Sequence, residues 1–203
     1  MRISECVGCK TFPCSDVRHA GYIVPGIEID PQKISILLIS ESAPADLGDD
    51  YYATGDPQFA RTTLMAFGDA GVPASSIQDL VERGVYFTTA VKCGKTGYGV
   101  QKTTINECSK ILKQELDLFP NVRAYLLMGD VAIQAANEIS RRSGAGRAIP
   151  SGSTYKIRGL EHFFRGRRAF PSYLQAGPSF GIEKSKRKMI AEDIAAALTV
   201  VGA

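Results

Sequence analysis

Five cysteines carry the first chemical signal in this chain. Cys6 and Cys9 form a C-x2-C near the start, and Cys93 and Cys108 lie far downstream with fourteen residues between them. Thiolates so widely separated suit a metal or cluster clamp that ties the N-terminus onto the body of the fold. Cys14, five positions after Cys9, is an alternative to it as a ligand. The opening MRISECVGCK has no apolar h-region of a signal peptide. Without a secretory context, paired cysteines favour metal binding over disulfides. The expectation is a cytoplasmic protein.

Charge supplies the second signal. Between Arg141 and Lys188 stand twelve Lys or Arg residues and two acids, Glu161 and Glu183, whereas the rest of the chain holds twelve basic and nineteen acidic residues. A one-sided distribution of this kind is a footprint for a polyanion. The Gly94-Lys95-Thr96 sequence has the end of a phosphate-binding loop, but position 89 is Thr where that pattern needs Gly, so nucleotide hydrolysis is set aside. No apolar run approaches the roughly 20 residues of a membrane span.

These groups need a scaffold, and hydrophobic patterning describes one. The apolar run at 34–40 reads as a buried strand. Asp56-Pro57 reads as the start of a helix over 56–70. The β-branched and aromatic segment 85–91 is a second strand. Thr104 and Glu107 suggest a capping box for a helix through Phe119, with Ile111, Leu112, Glu115 and Leu118 along one face. A third strand at 122–128 leads into a helix from Gly129-Asp130 to about Arg142. The segment 143–153 is a loop, short strands follow near 154–158 and 167–171, and a last helix runs from about Lys184 to Val200. Strands alternating with helices imply a three-layer α/β/α sandwich with a mostly parallel central sheet, a single domain spanning 1–203. Functional loops of such sheets lie at the carboxyl ends of the strands.

Those loops, in their order, resemble the iron–sulfur group called family 4 of the uracil-DNA glycosylase superfamily. The opening C-x2-C matches Cys6 and Cys9. ISESAPAD echoes the family's G-E-A-P-G loop, and GDPQFARTT is similar to G-x-P-F-V-G-x-A-G. N-V-V-K-C with a later cysteine is matched by 89–93 and Cys108, L-G-x-x-A by LLMGDVAIQAA, and F-P-T-Y-H-P by 170–175. The resemblance implies a uracil-DNA glycosylase-like fold and a [4Fe–4S] cluster on Cys6, Cys9, Cys93 and Cys108 that pins segment 1–30, with a four-cysteine zinc site as the alternative. It also implies a DNA-repair hydrolase that excises uracil or another damaged base from single- or double-stranded DNA, acting as a monomer away from membranes.

A glycosylase draws the base out of the stack and breaks an N-glycosidic bond through a cation-like sugar. The resemblance makes Glu41 the carboxylate beside that sugar, and Ser42, Phe59, Thr89 and Gln175 the base-binding set, with Phe59 stacking the base. Asp46, Asp49 and Asp50 read as a solvated acidic loop. Two positions depart from the family. Its uracil-reading Asn is Thr89, a hydroxyl that cannot make a bidentate amide contact. Its C-terminal His is Leu174, which has no proton to give to a departing base. Gln175, where the family has Pro, is the remaining donor. The runner-up is therefore a non-catalytic iron–sulfur nucleic-acid-binding protein of the same fold. Arg165, Arg167, Arg168, Ser172 and Ser179 are expected to contact DNA, with Tyr173, Leu174 and Phe180 as wedge residues.

Overall fold

The computed structural model describes residues 1–202. Six strands form one sheet: β1 (Val17–Arg18), β2 (Ile36–Ala43), β3 (Val85–Lys95), β4 (Ala124–Met128), β5 (His162–Phe164) and β6 (Arg167–Ser172). Their order is β1-β3-β2-β4-β6-β5. β2 runs parallel to β3 and β4, and β4 runs parallel to β6. β1 and β5 close the edges in antiparallel fashion. The architecture is a three-layer α/β/α sandwich with a mixed, mostly parallel sheet. Among the described residues, no helix is long and apolar enough to cross a membrane.

The helices are α1 (Ile3–Cys6), α2 (Gln58–Asp69), α3 (Ile77–Glu82), α4 (Lys102–Leu116), α5 (Asp130–Arg142), α6 (Thr154–Ile157) and α7 (Lys184–Val201). α4 and α5 pack side by side against β2 and β3, whereas α2 and α7 pack together, with α7 against β4 and β6. Covering both faces explains why the central strands are apolar without alternation: Ile36, Leu37, Leu38 and Ile39 are all fully buried. Gly84 turns the chain into β3 at φ +89°, and a Cβ there would lie 2.8 Å from the Lys33 carbonyl. Only glycine meets both demands.

Three expectations are corrected. The segment near 154–158 is helix α6, not a strand; its Lys156, Ile157 and Arg158 amides bond back to Ser153 and Thr154 carbonyls. Asp56 does not cap α2, because its carboxylate meets Arg61 at 2.5 Å; Asp49 instead reaches forward to accept the Gln58 amide at 3.1 Å. The Thr104–Glu107 capping box does not form. α4 starts earlier, at Lys102, and Asp16 covers its N-terminus by accepting the Gln101 amide at 2.7 Å and the Thr104 hydroxyl. A carboxylate from the distant N-terminal segment replaces the local cap, and the helix end favours that charge.

A polar group sits where hydrophobic patterning alone would place apolar ones. Lys92 of β3 and Glu115 of α4 are fully buried and form an ion pair. Thr88 and Tyr86, on the same face of β3, donate to Glu115 at 2.8 and 2.7 Å, and Lys92 donates to Thr88 at 2.6 Å. A buried pair whose carboxylate accepts three hydrogen bonds resists loss of either member more than loss of both. Lys92→Met or Glu115→Gln alone is expected to cost about 3–5 kcal/mol in urea denaturation, while Lys92→Met with Glu115→Leu costs much less. Equal costs for the single and double variants would mean that the pair contributes only packing.

Candidate active-site cleft and cysteine cluster

The chain runs from β2 outward to β3 on one side and then crosses to β4 on the other, so the carboxyl end of β2 faces the switch point of the sheet. Glu41 stands there, inside β2 rather than beyond its end. Its carboxylate lies against the start of α5, with the Val131 amide 3.4 Å from Oε1. Gly129, at φ +94°, makes room: a Cβ there would lie 2.6 Å from that oxygen. Burial pushes the Glu41 carboxyl pKa up, against the opposing pull of the Val131 amide and the Lys95 ammonium. A carboxyl shifted by burial in a cleft is a candidate functional group.

Glu41, expected as the catalytic carboxylate, and Ser172, Tyr173, Leu174 and Ser179, expected to contact DNA, line one cleft of about 330 Å³. Asp130, Thr154, Ile182 and Lys186 join them. Ser172 belongs to a buried relay, donating at 2.5 Å to Asp193, which Arg158 holds by Nε at 3.1 Å and by a second nitrogen at 2.8 Å. This relay locks the end of β6 onto α7. Asp193 has a sequence signal, an acid on the Ile190–Ile194–Ala197 stripe of α7, although its partner Arg158 has none. A roomier cavity of about 520 Å³ lies beside α2 and α3; its one carboxylate, Asp56, is engaged by Arg61, so it offers less chemistry.

The expected base-reading groups are turned inward. Thr89 donates its hydroxyl to its neighbour Val91 at 3.0 Å. Gln175 is fully buried, its amide nitrogen meeting Tyr51 at 2.9 Å, Thr63 at 3.2 Å and Ser40 at 3.4 Å, while the amide oxygen has no partner. Ser42 is buried in β2. Phe59 is half-buried, with its ring 5.4 Å from that of Tyr51 and beside Gly177. Tyr51, hydrogen-bonded to Ser40, fills the space between these residues.

The basic segment is also reorganised. Arg165 pairs with Asp117, and Arg168 pairs with Glu161 while its guanidinium lies over the rings of Phe163 and Phe170. Both flank the start of β6 with Arg167, five residues before Ser172. At about 3.3 Å per residue, that places them some 16 Å from the cleft, at the other end of the sheet. They do not share a surface with Ser172, Tyr173 and Leu174. Phe180, expected as a wedge, is buried and packs under Arg187. Both histidines bond backbone carbonyls, His19 that of Cys14 and His162 that of Ile157. In the acidic loop, Asp46 and Asp50 accept the Gly48 and Tyr52 amides.

The N-terminal segment is fastened near the end of β3. Val17 and Arg18 pair with Lys95 and Gly94, and the Ile23 amide bonds the Lys92 carbonyl. This brings the thiols together. Cys6, Cys9, Cys14 and Cys108 line a cavity of about 460 Å³. Cys93 is within electrostatic reach of Cys108, Cys9 and Cys14. Burial pushes the Cys93 thiol up to about 12 and the Cys108 thiol up to about 11. Cys6 is exposed and its sulfur faces the Arg2 carbonyl, whereas Cys9 accepts the Phe12 amide at 3.4 Å. Cys14 and Cys9 are both partly exposed. Among the described residues, no three His, Cys, Asp or Glu side chains converge on one point as a single metal ion requires. Four thiols line the cavity, and Cys93 lies outside its lining.

No protein-family model matches this chain, and no curated protein matches it as a relative.

The raised Glu41 pKa fixes a sign. A carboxyl that holds its proton more tightly when folded gives stability that is complete below the unfolded value and lost as pH rises through the folded one. Glu41→Gln removes that loss. Thermal unfolding is expected to show Glu41→Gln more stable than the parent at pH 7, with the gap closing as pH falls below about 4. A gap independent of pH would contradict this reading of the burial.

Proposed function

We propose that the protein is an N-glycosyl hydrolase acting on nucleic acid, a member of the uracil-DNA glycosylase superfamily braced by an iron–sulfur cluster. The observation that carries the reading is the Glu41 carboxylate at the switch point, half-buried, raised in pKa and opening onto a cleft built from the carboxyl ends of β2, β4 and β6. In this reading the base and its sugar enter the cleft. As the C1′–N bond breaks, the base leaves with the electron pair and positive charge grows on the sugar. Glu41 stabilises that charge and takes a proton from the water whose oxygen bonds to C1′. The Lys186 ammonium lines the same cleft, where it also pairs with Glu183, and is the cation within the cleft for the departing base. With Thr89 turned to its own backbone and Leu174 apolar, strict uracil readout is not supported, and bases that are themselves good leaving groups fit best.

Cys9, Cys14, Cys93 and Cys108 would hold the cluster, which supplies a staple between the N-terminal segment, β3 and α4. A zinc ion on four of the same thiolates, with Zn–S at about 2.3 Å, is the alternative to the cluster. A second reading, a nucleic-acid-binding protein without cleavage, is favoured by the inward-turned Thr89 and Gln175.

A base-excision assay on single- and double-stranded DNA carrying uracil, hypoxanthine, xanthine or mismatched thymine separates the two. Abasic product is expected with at least one base, falling about 100-fold or more in Glu41→Ala. Tight binding with no product from any base would leave the second reading. Iron and labile sulfide analysis tests the ligands: Cys14→Ser is expected to lose iron and Cys6→Ser to retain it, and the reverse pattern would restore Cys6 to the set.

A further inference from the structure

Gln175 is fully buried, and only one end of its amide is used. The nitrogen meets the hydroxyls of Tyr51, Thr63 and Ser40, whereas the oxygen has no partner. Turned the other way, the amide would strand its nitrogen instead. A buried polar group without a partner is held at a cost and calls for a reason. Gln175 does not line the Glu41 cleft, yet its network begins one residue from that cleft on two segments. Ser40 precedes Glu41 on β2, and Gln175 follows Leu174.

Tyr51 occupies the place beside the amide. Its ring lies 5.4 Å from that of Phe59 and 5.5 Å from that of Phe87, inclined to the latter by 32°. Its hydroxyl meets Ser40 and the Gln175 amide. A flat ring between aromatic side chains, with its polar edge against an amide, is held as a heterocyclic base would be held. The ring also has somewhere to go. Tyr51 lines the cavity of about 520 Å³ together with Tyr52, Leu64, Met65 and Ile77. It is therefore the partition between that cavity and the closed polar network. It belongs to the connection from β2 to α2, so rotation of its side chain breaks no hydrogen bond of a helix or strand.

We propose that Tyr51 is a displaceable plug: a base takes its place between Phe59 and Phe87, the tyrosine ring turns into the neighbouring cavity, and both ends of the Gln175 amide meet the base edge. An amide offers a donor and an acceptor side by side, so the ligand that fits it is a ring with the complementary pair, the lactam edge shared by uracil and hypoxanthine. The inference rests on the proposed action on nucleic acid and adds how base entry at that site is controlled.

Nuclear magnetic resonance of the full chain with isotope-labelled tyrosine rings tests it, the Tyr51 signal being assigned by its absence in Tyr51→Phe. Added uracil or hypoxanthine is expected to shift that signal in the parent, and 3-methyluracil, whose lactam nitrogen cannot donate, is expected to leave it in place. Tyr51→Phe keeps the ring volume, and so creates no new cavity, but loses the hydroxyl that holds the plug. It should bind uracil about threefold to tenfold more tightly than the parent, because a competing closed state is weakened. Gln175→Leu should lose uracil binding about tenfold or more. A response to uracil but not to uridine would support the plug and make the free base its ligand, whereas a response to both would assign the base on its sugar. A Tyr51 signal that neither base moves, equal binding of 3-methyluracil, or Tyr51→Phe binding no more tightly than the parent would overturn the plug. Its failure is distinct from failure of the hydrolase reading. Excision without displacement of Tyr51 removes only the plug, and displacement by free bases without any excision removes only the hydrolase.

Discussion

The buried pair between Lys92 and Glu115 is the constraint on which the rest of the arrangement depends. It joins β3, an eleven-residue strand, to the helix that follows it. Cys93 is the next residue after Lys92, and Cys108 lies two turns before Glu115 on α4. The Ile23 amide bonds the Lys92 carbonyl, so the N-terminal segment docks on the same point. Two charges removed from water are tolerable only because Thr88 and Tyr86 complete the carboxylate's hydrogen bonds. The geometry must therefore be specific, and that specificity carries over to the thiols on either side.

A second polar relay performs the equivalent task at the cleft. Ser172 ends β6, Asp193 is buried on α7, and Arg158 follows α6. The relay sets the direction in which the chain leaves β6 into Tyr173 and Leu174. Opposite it, Gly129 lets the Glu41 carboxylate approach the start of α5 closely. The cleft thus has one wall fixed by a buried charge network and another by a glycine, and the Glu41 carboxylate lines it with Asp130 and Glu183. Beside it, the Gln175–Tyr51–Ser40–Thr63 network fills with protein groups the space where a base-reading pocket was expected.

Charge shows how far sequence distance misleads. The stretch from Arg141 to Lys188 is strongly basic along the chain, yet Arg141, Arg158, Arg165, Arg168, Lys186 and Arg187 each meet a carboxylate, with several partners drawn from α2, α4, α5 and α7. What remains for a polyanion is a smaller set of cations, and Arg147 and Lys102 are notable because they face a groove beside the cleft.

The sequence by itself determined the layered α/β architecture, because continuous apolar strands and 3.6-period helices are local patterns that only burial on both faces can satisfy. It also located Glu41, the Ser172–Leu174 turn and the thiols, since strand ends follow from strand positions. An acid on an apolar stripe, Glu115 on α4 or Asp193 on α7, was legible as an anomaly. Its partner was not, because Lys92 and Arg158 meet these acids from elements brought together only by packing and not along the chain. Only tertiary structure decided that Asp16 caps α4 in place of Thr104, that Cys93 and Cys108 are buried while Cys6 is exposed, and that Arg165, Arg167 and Arg168 lie at the far end of β6. In each case the deciding term is a contact between segments distant in sequence, where geometry chooses among chemically equivalent residues and composition cannot.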